Sequence, residues 1–458
     1  MTDRTASMPT TRRAVLALAA PIAVGVVMAL SACGSSSSSS STSASSGGGA
    51  SSSGSVFASS GPLRGQHITV LLPYTVPQSF LNQFMKQTGI TVTFDTAGWD
   101  NVKSKLIVAN TAGTYIADVT EFDWSFTGQF GGSGWYEPLE GGLGSALISD
   151  LGNVNKAFDT KGHTYAACYS NDYRLSMYDT KAFAAAGIKQ FPATFTQLEA
   201  DLNTLKQKKP APWPMSMPLG ATEGGLTPWY LLTLAMGGQL FDAQNKPVFG
   251  QPNSVALKAL QFEISAVKNG WVSPGSVTLD DTPALNNFNA GDAAMLFAGG
   301  PGTISTANDP SQSKIAGHVD GALIPGVNGP GSSFGLPEGL AIPVTAKHKA
   351  AALAFIKWWM EPQTQVEMYT NGQTGFLPCR VSVINKLAKE GKLQGGPAVP
   401  AELNHIVPLF PQGAPKWYSN FDTKAQQLIN AAVKGEMSPS SALQQLASYT
   451  NSVASGSF

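Results

Sequence analysis

From residue 66 onward, short apolar runs rich in β-branched residues alternate with longer segments whose apolar residues recur at helical spacing. Residues 68–72, 90–94 and 117–120 are predicted strands, and amphipathic helices are predicted between them. Strand–helix units of this length predict an α/β fold with a mainly parallel sheet. Ligands of such sheets bind at the carboxyl ends of the strands, which places a candidate site in the loops that follow them.

Farther along the chain, the helices carry clear start and stop signals. Thr194 with Gln197 three residues later forms a capping box before an apolar helical pattern. Ser254 is a candidate N-cap, and Ser438 followed by proline is another. Residues 350–360 form a further helical pattern that ends before a proline. These signals predict helices at several places along the rest of the chain.

The first 32 residues have the pattern of an export signal, with basic residues before an apolar run at 14–30. Residues 30–33, Leu-Ser-Ala-Cys, resemble the lipobox of bacterial lipoproteins. That resemblance implies cleavage before Cys33 and lipidation of its thiol. An ordinary signal peptide or a membrane anchor with an unrelated cysteine is the alternative. Residues 11–16 also resemble a twin-arginine motif but lack its usual Phe and Lys, so both export routes stay open.

Residues 34–55 contain only Gly, Ser, Thr and Ala. Such a composition cannot bury enough apolar area to offset the entropy of ordering, so it predicts a disordered tether. We therefore divide the beginning of the chain into a signal peptide, 1–32, and a lipidated cysteine with its tether, 33–60. The predicted location is the outer face of the bacterial cytoplasmic membrane, with the lipid as the sole membrane attachment.

Composition excludes several classes of protein. The 458 residues include 29 basic and 29 acidic side chains, and a nucleic-acid-binding protein needs a surplus of Lys and Arg. After residue 30 no apolar run is long enough to span a bilayer, which excludes a polytopic membrane protein. Three cysteines exclude a disulfide-built scaffold. Near-zero net charge is compatible with a neutral ligand.

Several segments resemble extracellular solute-binding proteins, which capture substrates for ATP-binding-cassette importers. The best match is the carbohydrate-binding group that includes maltodextrin-binding proteins. Each segment alone is weakly specific, but together they keep the family's order and spacing over residues 66–450. The matching segments are 88–92, 117–119, 134–139, 162–166, 178–188, 247–249, 288–295, 338–342, 355–359, 375–380 and 431–435.

The resemblance implies an α/β fold of the two-lobed periplasmic-binding-protein type, also called a Venus flytrap of type II. The N-terminal lobe would comprise residues 61–168 plus 341–378, and the C-terminal lobe 169–340 plus 379–458. Chain crossings between the lobes are expected near 166–170, 339–343 and 376–380. A sugar that contacts both lobes would favour hinge closure, and the importer would recognise the closed form.

A sugar site needs aromatic faces for C–H surfaces and fixed polar groups for hydroxyls. Tyr74, Asp123 and Trp124 follow predicted strands, so the pattern itself makes them candidates, whereas Trp99 is expected to pack in the core or at a helix start. The resemblance adds five candidates, with helix packing, local ion pairing or a solvated turn as the alternatives. These are Asp172, Arg174, Trp229, Glu338 and Trp417.

One departure from the family bears on the ligand. Maltodextrin binders carry an aromatic residue beside a Gly-Pro pair after the segment that ends at Met295. Here residues 299–302 read Gly-Gly-Pro-Gly. The missing aromatic platform argues against a long maltodextrin as the ligand.

Cys168 and Cys379 remain once Cys33 is assigned to lipid. Both fall near expected crossings, and an exported compartment permits oxidation, so a disulfide between them is a hypothesis. Two buried thiols are the alternative.

The resulting prediction is a monomeric binding lipoprotein that captures a neutral mono- or oligosaccharide for an importer with permease subunits and a cytoplasmic ATPase. We expect no catalytic residues, cofactor or metal. The rival interpretations are a secreted carbohydrate-active hydrolase and a surface sugar sensor without a transport role. The Gly-x-Ser-x-Gly at 331–335 fits a hydrolase by pattern, but no helix follows it, as a nucleophile elbow requires.

Overall fold

The protein is described by a computed structural model that covers residues 56–59, 61–370 and 376–456. The predicted signal peptide, the lipidated Cys33 and the tether up to residue 55 lie outside the described residues. Within the described ranges, no helix has the length and apolarity needed to cross a bilayer.

Strands and helices alternate at the start of the described chain, and only helices follow the last strand there. In chain order they are β1 (His67–Leu72), α1 (Gln78–Thr88), β2 (Thr91–Thr96), α2 (Trp99–Ala112), β3 (Val119–Asp123), α3 (Glu140–Leu143), α4 (Ser145–Leu151), β4 (Asp159–Thr160), β5 (His163–Thr164), β6 (Ala167–Ser170), β7 (Leu175–Asp179), α5 (Thr180–Ala186), α6 (Phe195–Lys208), β8 (Trp213–Ser216), α7 (Glu223–Ala235), α8 (Val255–Lys268), α9 (Asp281–Asn289), β9 (Ala293–Gly299), α10 (Thr303–Ala307), β10 (Val319–Ala322), β11 (Glu338–Ala341), α11 (Lys349–Trp359), α12 (Pro362–Thr370), α13 (Val381–Lys389), α14 (Ala398–Glu402), α15 (Tyr418–Val433) and α16 (Pro439–Ser455).

The first sheet has the strand order β2-β1-β3-β11-β6. β1 is parallel to both β2 and β3, as the strand–helix alternation predicts. β11 enters between β3 and β6 and runs antiparallel to both. The prediction of a mainly parallel sheet is therefore wrong at this edge. Local periodicity shows only neighbours in sequence, whereas β11 returns from a distant part of the chain.

The second sheet has the order β10-β7-β9-β8. β8 pairs with β9 in parallel, while β7 is antiparallel to both β10 and β9. Helices α6, α7 and α9 pack against strands of this sheet, and α8 and α15 pack on α7, with α16 paired to α15. The chain thus builds two α/β halves, each around its own sheet.

The predicted helix signals are confirmed. Thr194 accepts a hydrogen bond from the Gln197 amide in a complete capping box, and Ser254 caps α8 through the Leu257 amide. Ser438 caps α16 in the same way. Gly89 ends α1 in the left-handed conformation, with φ +72°.

The connections between the two sheets lie next to the expected crossing segments. Residues 167–170 and 338–341 are β6 and β11, paired strands of the first sheet, so they do not themselves bridge the halves. The chain passes to the second sheet between β6 and β7, and it returns between β10 and β11. The exact lobe boundaries given above remain a prediction.

A disulfide joins β6 to the segment before α13. Cys168 and Cys379 are 211 positions apart in sequence, with their Cα atoms 5.7 Å apart, and both side chains are buried. The bond therefore ties two chain segments next to the connections between the halves.

Candidate functional site

The cavity lined from both halves has a volume of about 640 Å³. We call it the cleft. Its walls are the ends of β1, β3 and β11, the first turns of α2, α7 and α9, the segment after β6, and one face of α15. The lining residues are Tyr74, Trp99, Lys103, Asp123, Trp124, Asp172, Arg174, Ala221, Thr222, Glu223, Gly224, Thr227, Asp280, Asp281, Thr282, Leu336, Glu338, Asp422, Thr423 and Gln426.

Strand register brings three polar side chains of the first sheet together. Glu338 begins β11 and lies opposite Asp123, the last residue of β3. Tyr74 follows β1, and its hydroxyl donates to the Glu338 carboxylate at 2.6 Å. The edge formed by strand ends is therefore polar, as expected for a ligand site in an α/β sheet.

Asp123 also starts the short 3₁₀ turn that carries Trp124. Its carboxylate accepts a hydrogen bond from the Ser125 amide at 2.8 Å. The Trp124 indole lines the cleft and packs edge-on against Tyr418, with ring centroids 4.9 Å apart. This packing across the two halves holds one aromatic wall in place.

Trp99 packs at the start of α2 as expected, and it also lines the cleft, which was not expected. Its ring does pack at 5.9 Å from Phe126, but it is only half-buried. The Lys103 ammonium lies 4.9 Å from the Trp99 ring centre. This cation–π contact directs a positive charge to the aromatic wall.

On the opposite wall, Arg174 is held between two carboxylates. Its guanidinium lies 3.3 Å from Asp172 and 3.8 Å from Asp281. A Cβ on Gly300 would lie 2.6 Å from the Asp172 oxygen and 3.2 Å from Arg174. Glycine at this position therefore leaves space for the Asp172–Arg174 ion pair. The Gly-Gly-Pro-Gly segment thus makes room for an ion pair.

Two helices begin at the cleft and are tied to each other. Thr222 caps α7 through the Gly225 amide, and its hydroxyl donates to Asp280 at 2.8 Å. Asp280 in turn caps α9. Glu223, in the first turn of α7, lines the cleft beside them. Acidic groups at helix N-termini are stabilised by the helix dipole.

The last wall is one face of α15. Asp422, Thr423 and Gln426 line the cleft at helical spacing, and the Gln426 amide donates to the Asp422 carboxylate at 2.8 Å. Trp417, immediately before this helix, lies outside the lining and packs against Phe241 and Phe410.

Burial shifts the protonation of several cleft carboxyls. It raises the pKa of Asp123 and of Asp422 to about 6. Burial raises the pKa of Glu338 to about 8; the Tyr74 hydrogen bond opposes this shift, and the nearby Asp172 and Asp123 carboxylates add smaller increases. Burial and the Asp422 carboxylate raise the pKa of Glu223 well above its ordinary value. Each shift reflects a carboxylate with few cations near it.

Six of the eight candidate ligand residues line the cleft: Tyr74, Asp123, Trp124, Asp172, Arg174 and Glu338. The remaining two do not. Trp229 is fully buried, and its indole nitrogen donates to the Ala256 carbonyl, so the packing alternative holds for it. Trp417 is half-buried in an aromatic cluster. Both positions came from the resemblance, and in this chain α15 presents polar residues one turn later instead.

Several other polar residues of the cleft walls have little local signal in the sequence. The candidates did not include Lys103, Glu223, Asp280, Asp281, Asp422 and Gln426. The helix starts at 222–225 and 280–281 could have been recognised, since Thr and Asp favour N-cap positions. Nothing local marks Asp422, which reaches the cleft through the packing of α15. Across the described ranges, no group of three or more His, Cys, Asp or Glu is arranged to hold a metal ion.

Comparison with known proteins gives consistent results. The sequence profile described as bacterial extracellular solute-binding protein matches residues 71–366. The mannitol-binding protein of Pseudomonas aeruginosa is 30% identical over 243 residues, 50% of this chain. That match spans 52% of the relative, about half of its length. The diacetylchitobiose binding protein DasA of Streptomyces coelicolor is 25% identical over 382 residues, 79% of this chain and 83% of that protein.

Solved structures share the fold. Maltose-bound MalE3 of T. maritima superposes with a TM-score of 0.72 at 20% identity, covering 84% of this chain and 99% of that one. The two-lobed α/β architecture expected from the sequence is therefore confirmed.

Proposed function

Because the chain belongs to the bacterial extracellular solute-binding proteins, we propose that it captures a sugar or sugar alcohol in the cleft and delivers it to an ATP-binding-cassette importer. Its relatives are named for mannitol and for diacetylchitobiose, two polyhydroxylated ligands. The partners are the permease subunits of the importer. The protein acts as a binding protein and performs no chemistry on its ligand.

The observation that carries this proposal is the combination of aromatic and polar walls in the cleft. Trp99, Trp124 and Tyr74 offer ring faces for the C–H surfaces of a sugar. Carboxylates around them can accept hydrogen bonds from ligand hydroxyls, and the Gln426 amide can donate to them. Such fixed polar groups usually orient a ligand of this kind. The volume of about 640 Å³ suits a ligand of mono- to oligosaccharide size.

Ligand binding drives closure of the two halves in this proposal. Trp124 and Glu338 belong to the first sheet's half, whereas Arg174 and Asp422 belong to the second. A ligand that contacts both walls stabilises the closed arrangement by its differential affinity for the two states. The importer then recognises the closed form.

The N-terminal segment would keep the protein close to the importer to which it delivers its ligand. Lipidation of Cys33 and the Gly/Ser-rich residues 34–55 would hold the binding unit at the outer face of the cytoplasmic membrane. The binding unit would act there as a monomer, close to the permease.

Thermal unfolding of the purified protein with a ligand panel tests the proposal. The panel contains mannitol, maltose, diacetylchitobiose and other mono- and oligosaccharides. A ligand at 100 times its Kd adds about 2.7 kcal/mol to the free energy of unfolding, which raises Tm by several degrees. The stabilising ligand is then recovered and should be chemically unchanged.

Each rival interpretation predicts a different result. Conversion of the ligand would favour a hydrolase, and uptake that persists after gene deletion would favour a sensor. Trp124→Ala should abolish the stabilisation, whereas Trp213→Ala, at the start of β8 and outside the cleft lining, should keep it. A panel in which no saccharide or sugar alcohol raises Tm would contradict the proposal.

A further inference from the structure

Charge around the cleft does not balance, although charge over the whole chain does. The chain has 29 basic and 29 acidic side chains. The cleft lining contains two cationic residues, Lys103 and Arg174, and seven carboxyl groups. These are Asp123, Asp172, Glu223, Asp280, Asp281, Glu338 and Asp422. The imbalance is therefore local to the candidate site.

Some of these carboxyl groups are offset by the protein itself. Arg174 lies 3.3 Å from Asp172 and 3.8 Å from Asp281. Asp280 caps α9 and also accepts from Thr222, so backbone and hydroxyl donors stabilise its charge. These three carboxylates need no further cation.

Three of the remaining four carboxyl groups accept hydrogen bonds from neutral donors: Asp123 from the Ser125 amide, Glu338 from the Tyr74 hydroxyl and Asp422 from Gln426. In the part of the chain that the structure describes, no Lys or Arg nitrogen lies within 4.0 Å of Asp123, Glu223, Glu338 or Asp422. The Lys103 ammonium, which lies over the Trp99 ring, is close enough to lower the pKa of Asp123, Glu223 and Asp422. The dipole of α7 offsets part of the Glu223 charge. One lysine therefore faces several carboxylates.

Asp422 shows the deficit most directly. Its side chain is nine-tenths buried, with 7% of its surface exposed, and it lines the cleft. One carboxylate oxygen accepts from Gln426, and Oδ1 is fully buried with the Tyr418 hydroxyl as a neighbour. A buried carboxylate in this state is costly unless a proton or a cation joins it. Asp123, with 5% exposed, faces the same cleft.

The chemistry of the walls indicates which kind of cation fits. The described residues contain no cluster of three or more acidic, His or Cys side chains suited to a metal ion. Trp99, Trp124 and Tyr74 provide ring faces, which attract ammonium groups as well as the C–H surfaces of sugars. An organic ligand with both hydroxyls and an amine matches this surface.

We propose that the substrate is an amine-bearing saccharide or sugar alcohol whose ammonium group is bound among Asp422, Glu223 and Asp123. This inference rests on the proposed function, since it specifies the class of sugar that the cleft captures. It replaces the neutral ligand expected from the net charge of the chain, because ligand recognition depends on the charge that lines the cleft.

Isothermal titration calorimetry with matched ligand pairs tests the inference. One pair is glucamine and sorbitol, and another is glucosamine oligosaccharides and their N-acetylated counterparts, at about pH 6.5, where amines are largely protonated. The amine member of a pair should bind at least about tenfold more tightly. Added salt should reduce that preference.

The outcomes separate the two proposals. Equal or tighter binding of the uncharged members would overturn the amine inference and leave the proposed function standing. Binding of no saccharide or sugar alcohol, charged or uncharged, would overturn both.

Charge variants test which residues carry the preference. Asp422→Asn and Glu223→Gln should each lower the ratio of amine to neutral affinity several-fold, and Lys103→Met should raise it. Asp320→Asn removes the same charge from an exposed position of β10 and should leave the ratio unchanged. Thermal unfolding of each variant verifies that it is folded. An unchanged ratio in every folded cleft variant would contradict the assignment.

Discussion

Burial and neighbouring carboxylates make Glu338 a group that binds a proton near neutral pH. Its pKa is raised from the ordinary 4.5 to about 8, first by burial and then by the nearby Asp172 and Asp123 charges. Between these two values the folded state binds more protons than the unfolded state. The free energy of unfolding therefore falls as pH rises through this range.

We predict that Tm of the ligand-free protein decreases between pH 5 and pH 8, by about 3 °C or more. Glu338→Gln keeps an acceptor for the Tyr74 hydroxyl but cannot ionise, so it should flatten this dependence. Differential scanning calorimetry across the pH range measures both. Glu361→Gln, an exposed glutamate before α12, is the control and should keep the wild-type slope. An equal slope in Glu338→Gln would refute the prediction.

Gly300 decides how the Asp172–Arg174 pair sits. Since an added Cβ would lie 2.6 Å from the Asp172 oxygen, Gly300→Ala should displace that side chain and leave the backbone in place. We expect ligand affinity to fall by about tenfold, on the order of 1.4 kcal/mol, with Tm nearly unchanged. Calorimetric titration and thermal unfolding together measure this. A large loss of Tm with unchanged affinity would show that the glycine serves folding instead.

The start of α7 brings its backbone unusually close to a neighbouring loop. A Cβ on Gly225 would lie 2.1 Å from the Gly220 carbonyl oxygen, a contact with backbone that cannot rotate away. We predict that Gly225→Ala lowers the free energy of unfolding by about 1–3 kcal/mol despite alanine's higher helix propensity. Urea unfolding measures the loss.

A matched glycine gives the opposite expectation. Gly141 lies in helix α3 with open space around its Cβ position. Gly141→Ala should be neutral or stabilising by up to about 1 kcal/mol. Equal effects of the two substitutions would mean that propensity, and not close approach, governs the α7 terminus.

Among the elements, helices and their caps were well predicted because capping depends on residues only a few positions apart. The placement of β11 was not, since an antiparallel strand that returns from a distant segment leaves no mark in local periodicity. The same contrast holds for the site. The site residues that follow β1 and β3 could be predicted because ligands bind at strand ends. Asp422 could not be predicted, because only the packing of α15 brings it to the cleft.

The disulfide acts on the molecule as a whole, because it closes a loop of more than two hundred residues next to the connections between the halves. We predict that Cys168→Ser combined with Cys379→Ser lowers the free energy of unfolding by about 2–5 kcal/mol. Thermal unfolding with and without reductant measures this. Wild type in reductant should approach the variant, and the variant should not respond. Two titratable thiols from these cysteines in the denatured, unreduced wild type would rule out the bond.

Ligand-driven closure should change the dimensions of the molecule. With a saturating ligand, small-angle scattering of the purified protein should show a smaller radius of gyration than without it, because the two halves approach each other. A ligand that fails to raise Tm serves as the control and should leave the radius unchanged. A stabilising ligand that leaves the radius unchanged would contradict closure on binding.

The sequence by itself determined the family, the two-lobed α/β architecture, several of the longer helices, and six residues that line the cleft. The helices, Tyr74, Asp123 and Trp124 follow from local periodicity and caps, which are properties of neighbouring residues. The two lobes and the other three residues came from the resemblance to the family. Only the tertiary structure decided that Trp229 is a core residue, that Trp99 faces the cleft, and that acidic side chains from both halves meet there. Net charge sums over the whole chain, whereas a ligand responds to the few charges that folding gathers around it.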